Sequence, residues 1–188
     1  MPVKLVSAGG GGVILQPASS IGSDVILETP VTPQRLLGNK TAGTVLQVQQ
    51  SWTNVVTTIN TGTDTDISGL AVSITPGSAS NKILVLAQVG RSGGNGNGFI
   101  NLYRNSTRLM NGSGATYTGT LDVSSAYSQQ VTTSPIVYLD DPGTTSAITY
   151  KLMGNSISAG SPMRINERTY DAGVVRSVSS IIVMEIAG

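Results

Sequence analysis

Histidine and cysteine are both absent from the 188 residues. Without cysteine there is no disulfide framework, no thiolate nucleophile and no sulfur ligand for a metal. Without histidine the commonest general base and the commonest transition-metal ligand are missing, so any acid or base step falls to ten carboxylates, the lysines and the tyrosines. Charge of either sign is scarce. Charged residues make up 11% of the chain, against about 25% in an ordinary globular protein. The formal net charge is +1 and the eleven basic residues are scattered, which argues against a nucleic-acid partner, since phosphate binding draws on several clustered Lys or Arg. No apolar run approaches the roughly 18 residues of a membrane span. The start "MPVKLVSAGGGG" lacks the apolar core of a secretory signal, so synthesis in the cytoplasm without membrane insertion is expected. No cofactor and no metal are expected.

What the chain does have is Gly, Ser, Thr and Asn in quantity, with 39% apolar residues rich in Val, Ile and Leu. That is enough for a core. Residues 51–188 read as β throughout: short segments with period-two alternation, separated by turn residues. In "DISGLAVSITPG", Leu70, Val72 and Ile74 face one way and Ala71, Ser73 and Thr75 the other, so one face is buried and one wet. "KILVLAQV" sets Ile83, Val85, Ala87 and Val89 against Leu84 and Leu86, the pattern of a central strand covered on both faces. Further runs at 53–59, 99–109, 115–124, 128–140, 147–154, 162–170 and 177–187 bring the number to about nine. Strands of this length and spacing predict an all-β, antiparallel sandwich of jelly-roll type. The last run alternates Ile182, Met184 and Ile186 with Ile181, Val183 and Glu185, so its outer apolar face needs a cover.

The glycine-rich stretch "GGNGNGF" (93–99) raises the question of a phosphate loop. No lysine follows its glycines, and the position where a dinucleotide fingerprint needs its third glycine is Phe99. The Asn-Gly steps predict instead a hairpin between 82–90 and 99–109. Residues 1–50 differ in kind. "GGGGVILQP" and "SDVILETP" are short β-like runs closed by proline, too brief to bury a core alone. The chain is therefore divided into a 1–50 attachment or shaft segment and a 51–188 sandwich head, and sister chains are expected to complete the interior.

The series "GGGGVILQP...SDVILETP...TAGTVLQVQQ", "TDTDISGLAVSITPGSASNKILVLAQV", "INLYRNSTRL", "SPIVYLDDPGTTSAITYKL" and "RINERTYD...SSIIVMEIAG" resembles structural proteins of tailed bacteriophages, especially of marine and cyanobacterial viruses. It is similar to tail-fibre proteins over nearly the whole chain. The resemblance implies a homotrimer located in the virion, joined to other virion proteins of the tail, baseplate or capsid through residues 1–50. It also implies binding to a host-surface glycan or protein. Capsid decoration, with the head projecting from the shell, is the alternative implied by the same motifs. A tail-borne glycan depolymerase is a third, opposed by the missing histidines and by the absence of any fixed solenoid period.

Individual candidates are few. Asp140 and Asp141 precede Pro142-Gly143, where a carboxylate pair could serve Ca²⁺ or glycoside cleavage, but adjacent residues of an extended chain point apart and the motif suits a turn. Asp64 and Asp66 lack the glycine and glutamate of a calcium loop and suit a solvated loop. Arg104 and Arg108 near Tyr103 could meet a sugar or phosphate; Tyr117 and Tyr127 could stack on sugar rings, although packing is the alternative use of each. Trp52 is expected at the junction of segment and head, plugging a trimer core. Loops 91–98 and 111–116 are the exposed stretches that could touch a receptor, with no receptor-binding residue singled out.

Overall fold

A computed structural model describes residues 3–6, 12–15, 41–93, 97–111, 119–124, 130–157, 162–168, 170 and 173–188. Two compact units divide the chain at 38/39. In the first, β1 (Val3–Val6) and β2 (Gly12–Leu15) pair antiparallel, Val3 opposite Leu15. The run 24–30 lies outside the described residues.

The second unit is an all-β sandwich with no helix among the described residues. Its strands are β3 (Val45–Thr53), β4 (Thr57–Ile59), β5 (Thr65–Ile74), β6 (Lys82–Gly93), β7 (Asn97–Arg104), β8 (Thr107–Arg108) and β9 (Leu121–Ser124). They continue with β10 (Thr132–Asp140), β11 (Ile148–Ser156), β12 (Met163–Ile165) and β13 (Ser179–Ile186). One sheet runs β3-β13-β6-β12-β4, with β10 on the other edge of β6; the second runs β5-β11-β7-β8, with β9 also on β7. All pairings are antiparallel.

Leaving aside the short β4, β8 and β12, the first strand pairs with the last (β3 with β13), and likewise β5 with β11, β6 with β10 and β7 with β9. Nested pairing of this kind is the jelly roll expected from the strand pattern. The boundary differs from the expected one: "TVLQVQQ" is not part of a separate segment, because β3 lies beside β13 in the larger sheet. The stretch 93–99 differs too. It joins β6 and β7, which belong to different sheets, so it is a crossover rather than a hairpin, and residues 94–96 lie outside the described residues. Both outcomes have one cause. Local turn chemistry says that the chain bends, not which sheet receives the next strand.

The core fills the space between the sheets. Ile83, Val85 and Val89 of β6 and Ile181 and Val183 of β13 face Leu70 of β5, Tyr150 and Leu152 of β11 and Ile100 and Leu102 of β7, all with no exposure. β5 bears a local irregularity, since its register with β11 shifts between Lys151 and Met153, and Gly69 there has φ +79°. Pro135 sits in β10, an edge strand, where a missing N–H costs no ladder bond.

Candidate functional site

Two features of the head can serve recognition: its end farthest from the chain entry, and the outer face of the larger sheet. Residues 41–45, Lys82 and the C-terminal residues Ile186 and Ala187 gather at one end, through the pairs Ile186–Val45 and Ile186–Lys82 and the bonds Gly43 N to Ala187 O and Ala187 N to Thr44 O. β6 then runs twelve residues to Gly93, a length of roughly 40 Å at strand rise. At that far end Gly93 pairs with Met163, and Met163 with Ile59. In the second sheet Gly98 pairs with Ser156, whose N–H donates to Thr61 O at 2.7 Å. The glycine- and asparagine-rich crossover therefore leaves and re-enters the sandwich opposite the chain entry.

Just below this end, on the outer face of the smaller sheet, Asp64 accepts hydrogen bonds from Asn101 Nδ2 (2.8 Å), Asn155 Nδ2 (2.5 Å) and the Tyr103 hydroxyl (2.5 Å). Partial burial alone would raise the Asp64 carboxyl. The bonds from Tyr103, Asn155 and Asn101, with the Arg108 charge, outweigh it and hold the group below its ordinary 3.8. The Tyr103 phenol is pushed up to about 12, first by burial and then by Asp64 as acceptor and as charge, against the opposing pull of Arg108. Asp64 is thus an organising acceptor tying the 60–64 connection to β7 and β11, not the solvated loop residue that the sequence suggests. Asp66 pairs instead with Lys151 at 2.8 Å.

The remaining carboxylates in the interior are engaged in the same manner. Asp140 is buried at the end of β10, receives both contacts of the Arg104 guanidinium (2.9 and 3.1 Å) and accepts from the Tyr150 hydroxyl (2.5 Å). Asp141 is exposed, so the two aspartates point apart as the extended chain requires. Asp140 is nonetheless an interior ion-pair partner rather than a turn residue. Arg104 consequently faces inward, whereas Arg108 lies opposite Tyr103 in the β7–β8 pair, and the expected two-arginine patch is divided between the two sides of the sheet. Glu185 accepts from Gly77 N (2.6 Å), Asn81 Nδ2 (2.5 Å) and Gln47 Nε2 (2.6 Å). Glu167 meets Arg164, Arg176 and the N–H of Gly173. Burial would raise its carboxyl, and the Gly173 bond and the two arginines hold it below the ordinary value. Carboxylates saturated by donors are poor bases, and among the described residues no three His, Cys, Asp or Glu gather to hold a metal.

The two outer faces contrast. On the smaller sheet Ser73 and Thr149 hydroxyls bond at 2.7 Å, beside the Lys151–Asp66 pair and the Asp64 group. On the larger sheet the register aligns Val137, Leu86, Ile182 and Gln50 in one row across four strands, and Leu139, Leu84, Met184 and Val48 in the next. A third row holds Pro135, Gln88, Ser180 and Trp52. Val137 is 62% exposed and Trp52 61%. A shallow depression of about 210 Å³ lies between Leu86, Pro135, Val137 and Ile182. Leu84 and Leu86 are only half-buried, so the second face of β6, expected to be covered, has no layer over it among the described residues of the head. Trp52 lies on the edge strand β3, opposite Ser180 and one residue from the strand end remote from the chain entry, rather than at that entry where the junction was expected. Tyr117, Tyr127 and residues 112–116 lie outside the described residues.

No protein-family model matches the chain, and no curated protein matches it. Among solved structures, the tripod from the baseplate of bacteriophage Tuc2009 aligns with 98% of this chain and 84% of its own, at 12% identity and a TM-score of 0.21. A score that low establishes no common architecture.

Proposed function

We propose that the chain is a non-enzymatic structural protein of a tailed-phage particle: a homotrimeric tail-fibre head that attaches the virion to a host-surface glycan or protein. The observation that carries this reading is the polarity of the sandwich. The chain enters beside Val45 and the C-terminus, while the Gly/Asn-rich crossover and the Thr61–Asp64 connection occupy the opposite end. Residues 1–38 would dock on the particle and the far end would face the host. The resemblance of the sequence to phage fibre proteins supports the same assignment.

The chemistry of the far end suits a hydroxyl-rich ligand. Thr61 and Thr63 are exposed, neutral hydrogen-bonding side chains, and neutral polar groups on a rigid scaffold bind weakly one at a time. Three heads on one fibre, and several fibres on one particle, convert weak contacts into lasting attachment by raised local concentration. Asp64, Asp140, Glu167 and Glu185, committed to structural donors, support a binding role over hydrolysis.

Immunogold labelling of purified particles tests the location. Signal at the tail extremity is expected; signal over the shell would replace attachment with capsid decoration, and no signal on particles would overturn both. Fluorescently labelled protein should bind susceptible cells and not resistant ones.

A further inference from the structure

We infer that the outer face of the larger sheet is the surface through which copies of this chain associate. The inference deepens the proposed function by naming the subunit interface, and it rests on that reading only for the number of copies.

Three observations converge on a second copy as the occupant. First, the three rows across β10, β6, β13 and β3 carry apolar or neutral polar side chains at every aligned position. An occupant recognised by charge has nothing to hold there. A surface that is itself uncharged and apolar does, and this chain supplies one. Second, the exposed Val48, Trp52, Val137 and Leu139 and the half-buried Leu84, Leu86, Ile182 and Met184 together offer roughly 600 Å² of contiguous apolar surface, the upper end of what a soluble monomer leaves uncovered. With the neutral Gln50, Gln88 and Ser180 included, the patch reaches roughly 800 Å², the share each partner contributes to a standard stable interface.

Third, the opposite sheet is finished as a solvent face. Its outer positions carry the Ser73–Thr149 bond and the Lys151–Asp66 ion pair. Ionic and hydroxyl pairs run across the outer face of the smaller sheet, whereas on the outer side of the larger sheet the ion pairs among the described residues are confined to Arg164, Glu167 and Arg176 beside β12, leaving the face over β10, β6, β13 and β3 for burial. The depression between Leu86, Pro135, Val137 and Ile182 gives the contact a concave feature into which an exposed side chain of a neighbouring copy can pack.

Sedimentation equilibrium and light scattering on the full chain at micromolar concentration test this. The wild-type protein is expected at three times its 19.3 kDa chain mass. Ile182→Lys, at the centre of the face, should shift the mass to that of a single chain. Val137→Lys, on the edge strand and already largely exposed, should weaken association at least tenfold while leaving far-ultraviolet circular dichroism unchanged, so it decides the matter if the Ile182 variant fails to fold. Ser73→Lys, on the opposite face, should leave the mass unaltered. A wild-type monomer, or a folded Val137 variant that assembles as tightly as the wild type, overturns the inference. A dimer abolished by the same substitutions upholds this face and removes the threefold symmetry from the proposed function.

Discussion

Asp140 and Tyr150 join the two sheets through a single hydrogen bond: the Tyr150 phenol, on β11, donates to Asp140 Oδ2, on β10, at 2.5 Å. Arg104, opposite Tyr150 in the neighbouring strand, reaches the same carboxylate with both contacts of one nitrogen. Burial and the adjacent carboxylate raise the Tyr150 phenol well above its ordinary 10.0, so it stays a donor at any pH the protein meets. Asp140→Asn removes the charge and leaves Arg104 facing a neutral amide. It should cost about 2–4 kcal/mol in urea denaturation, less than a fully buried pair because Arg104 is partly in water. Tyr150→Phe should cost about 1–2 kcal/mol. The double variant should cost less than the sum of the two, because both substitutions break the same bond.

Glu185 closes the end where the chain enters. Its carboxylate accepts from the backbone of Gly77 and the amide of Asn81, so the 75–81 turn is tied to the last strand, and Gln47 ties in the first. Glu185→Gln puts a donor where three donors already converge. A loss of roughly 2–4 kcal/mol is expected, since the buried donors lose an acceptor without gaining water. Hydrogen exchange should report it locally: amides at 75–81 and 45–48 should lose protection before those at the centre of β6.

Faces were legible in the sequence and partners were not. The alternation in β5 placed Leu70, Val72 and Ile74 in the core, because a period of two fixes the side of the sheet whatever the neighbour. In β13 both faces are apolar, so the need to cover an outer face could be read, but not that Ile181 and Val183 would be the buried set. Asp140 looked like a turn residue because its sequence neighbours are Asp-Pro-Gly, whereas its partners lie 10 and 36 residues away. "TVLQVQQ" looked like more of the N-terminal segment because its pairing strand is at the other end of the chain. Asp64 gave no signal that could have found its role: Asn101, Tyr103 and Asn155 come together only when β7 and β11 pair.

Gly69 is a backbone requirement. Its φ of +79° suits glycine, and a Cβ there would sit 2.7 Å from Thr53 Cβ on β3 of the facing sheet. Gly69→Ala should cost about 1–3 kcal/mol through strain and the displaced contact. Gly143→Ala makes a comparison, because its φ of +61° is similar but a Cβ would meet nothing within 4 Å. It should cost only the backbone part, about 1 kcal/mol. The difference between the two, read from thermal unfolding, isolates the packing against Thr53.

The Tyr103–Asp64 bond predicts opposite responses at the two ends of the pH scale. Asp64 is depressed below 3.8 in the folded state, so the stability it contributes is present above that pH and is lost as pH falls through the folded value. Tyr103 is raised from 10.0 to about 12, so folding favours its neutral form; that contribution is complete below pH 10.0 and is lost as pH rises towards about 12. Both contributions are therefore present together between pH 3.8 and 10.0. Spectrophotometric titration of the tyrosines should show one transition near pH 12 that disappears in Tyr103→Phe. Asp64→Asn removes both the charge and the anionic acceptor, so the same transition should move down towards 10, held above it only by burial. A Tyr103 transition unmoved by Asp64→Asn would mean that burial alone sets the phenol, and that the hydrogen bond does not tie the 60–64 connection to the sheet.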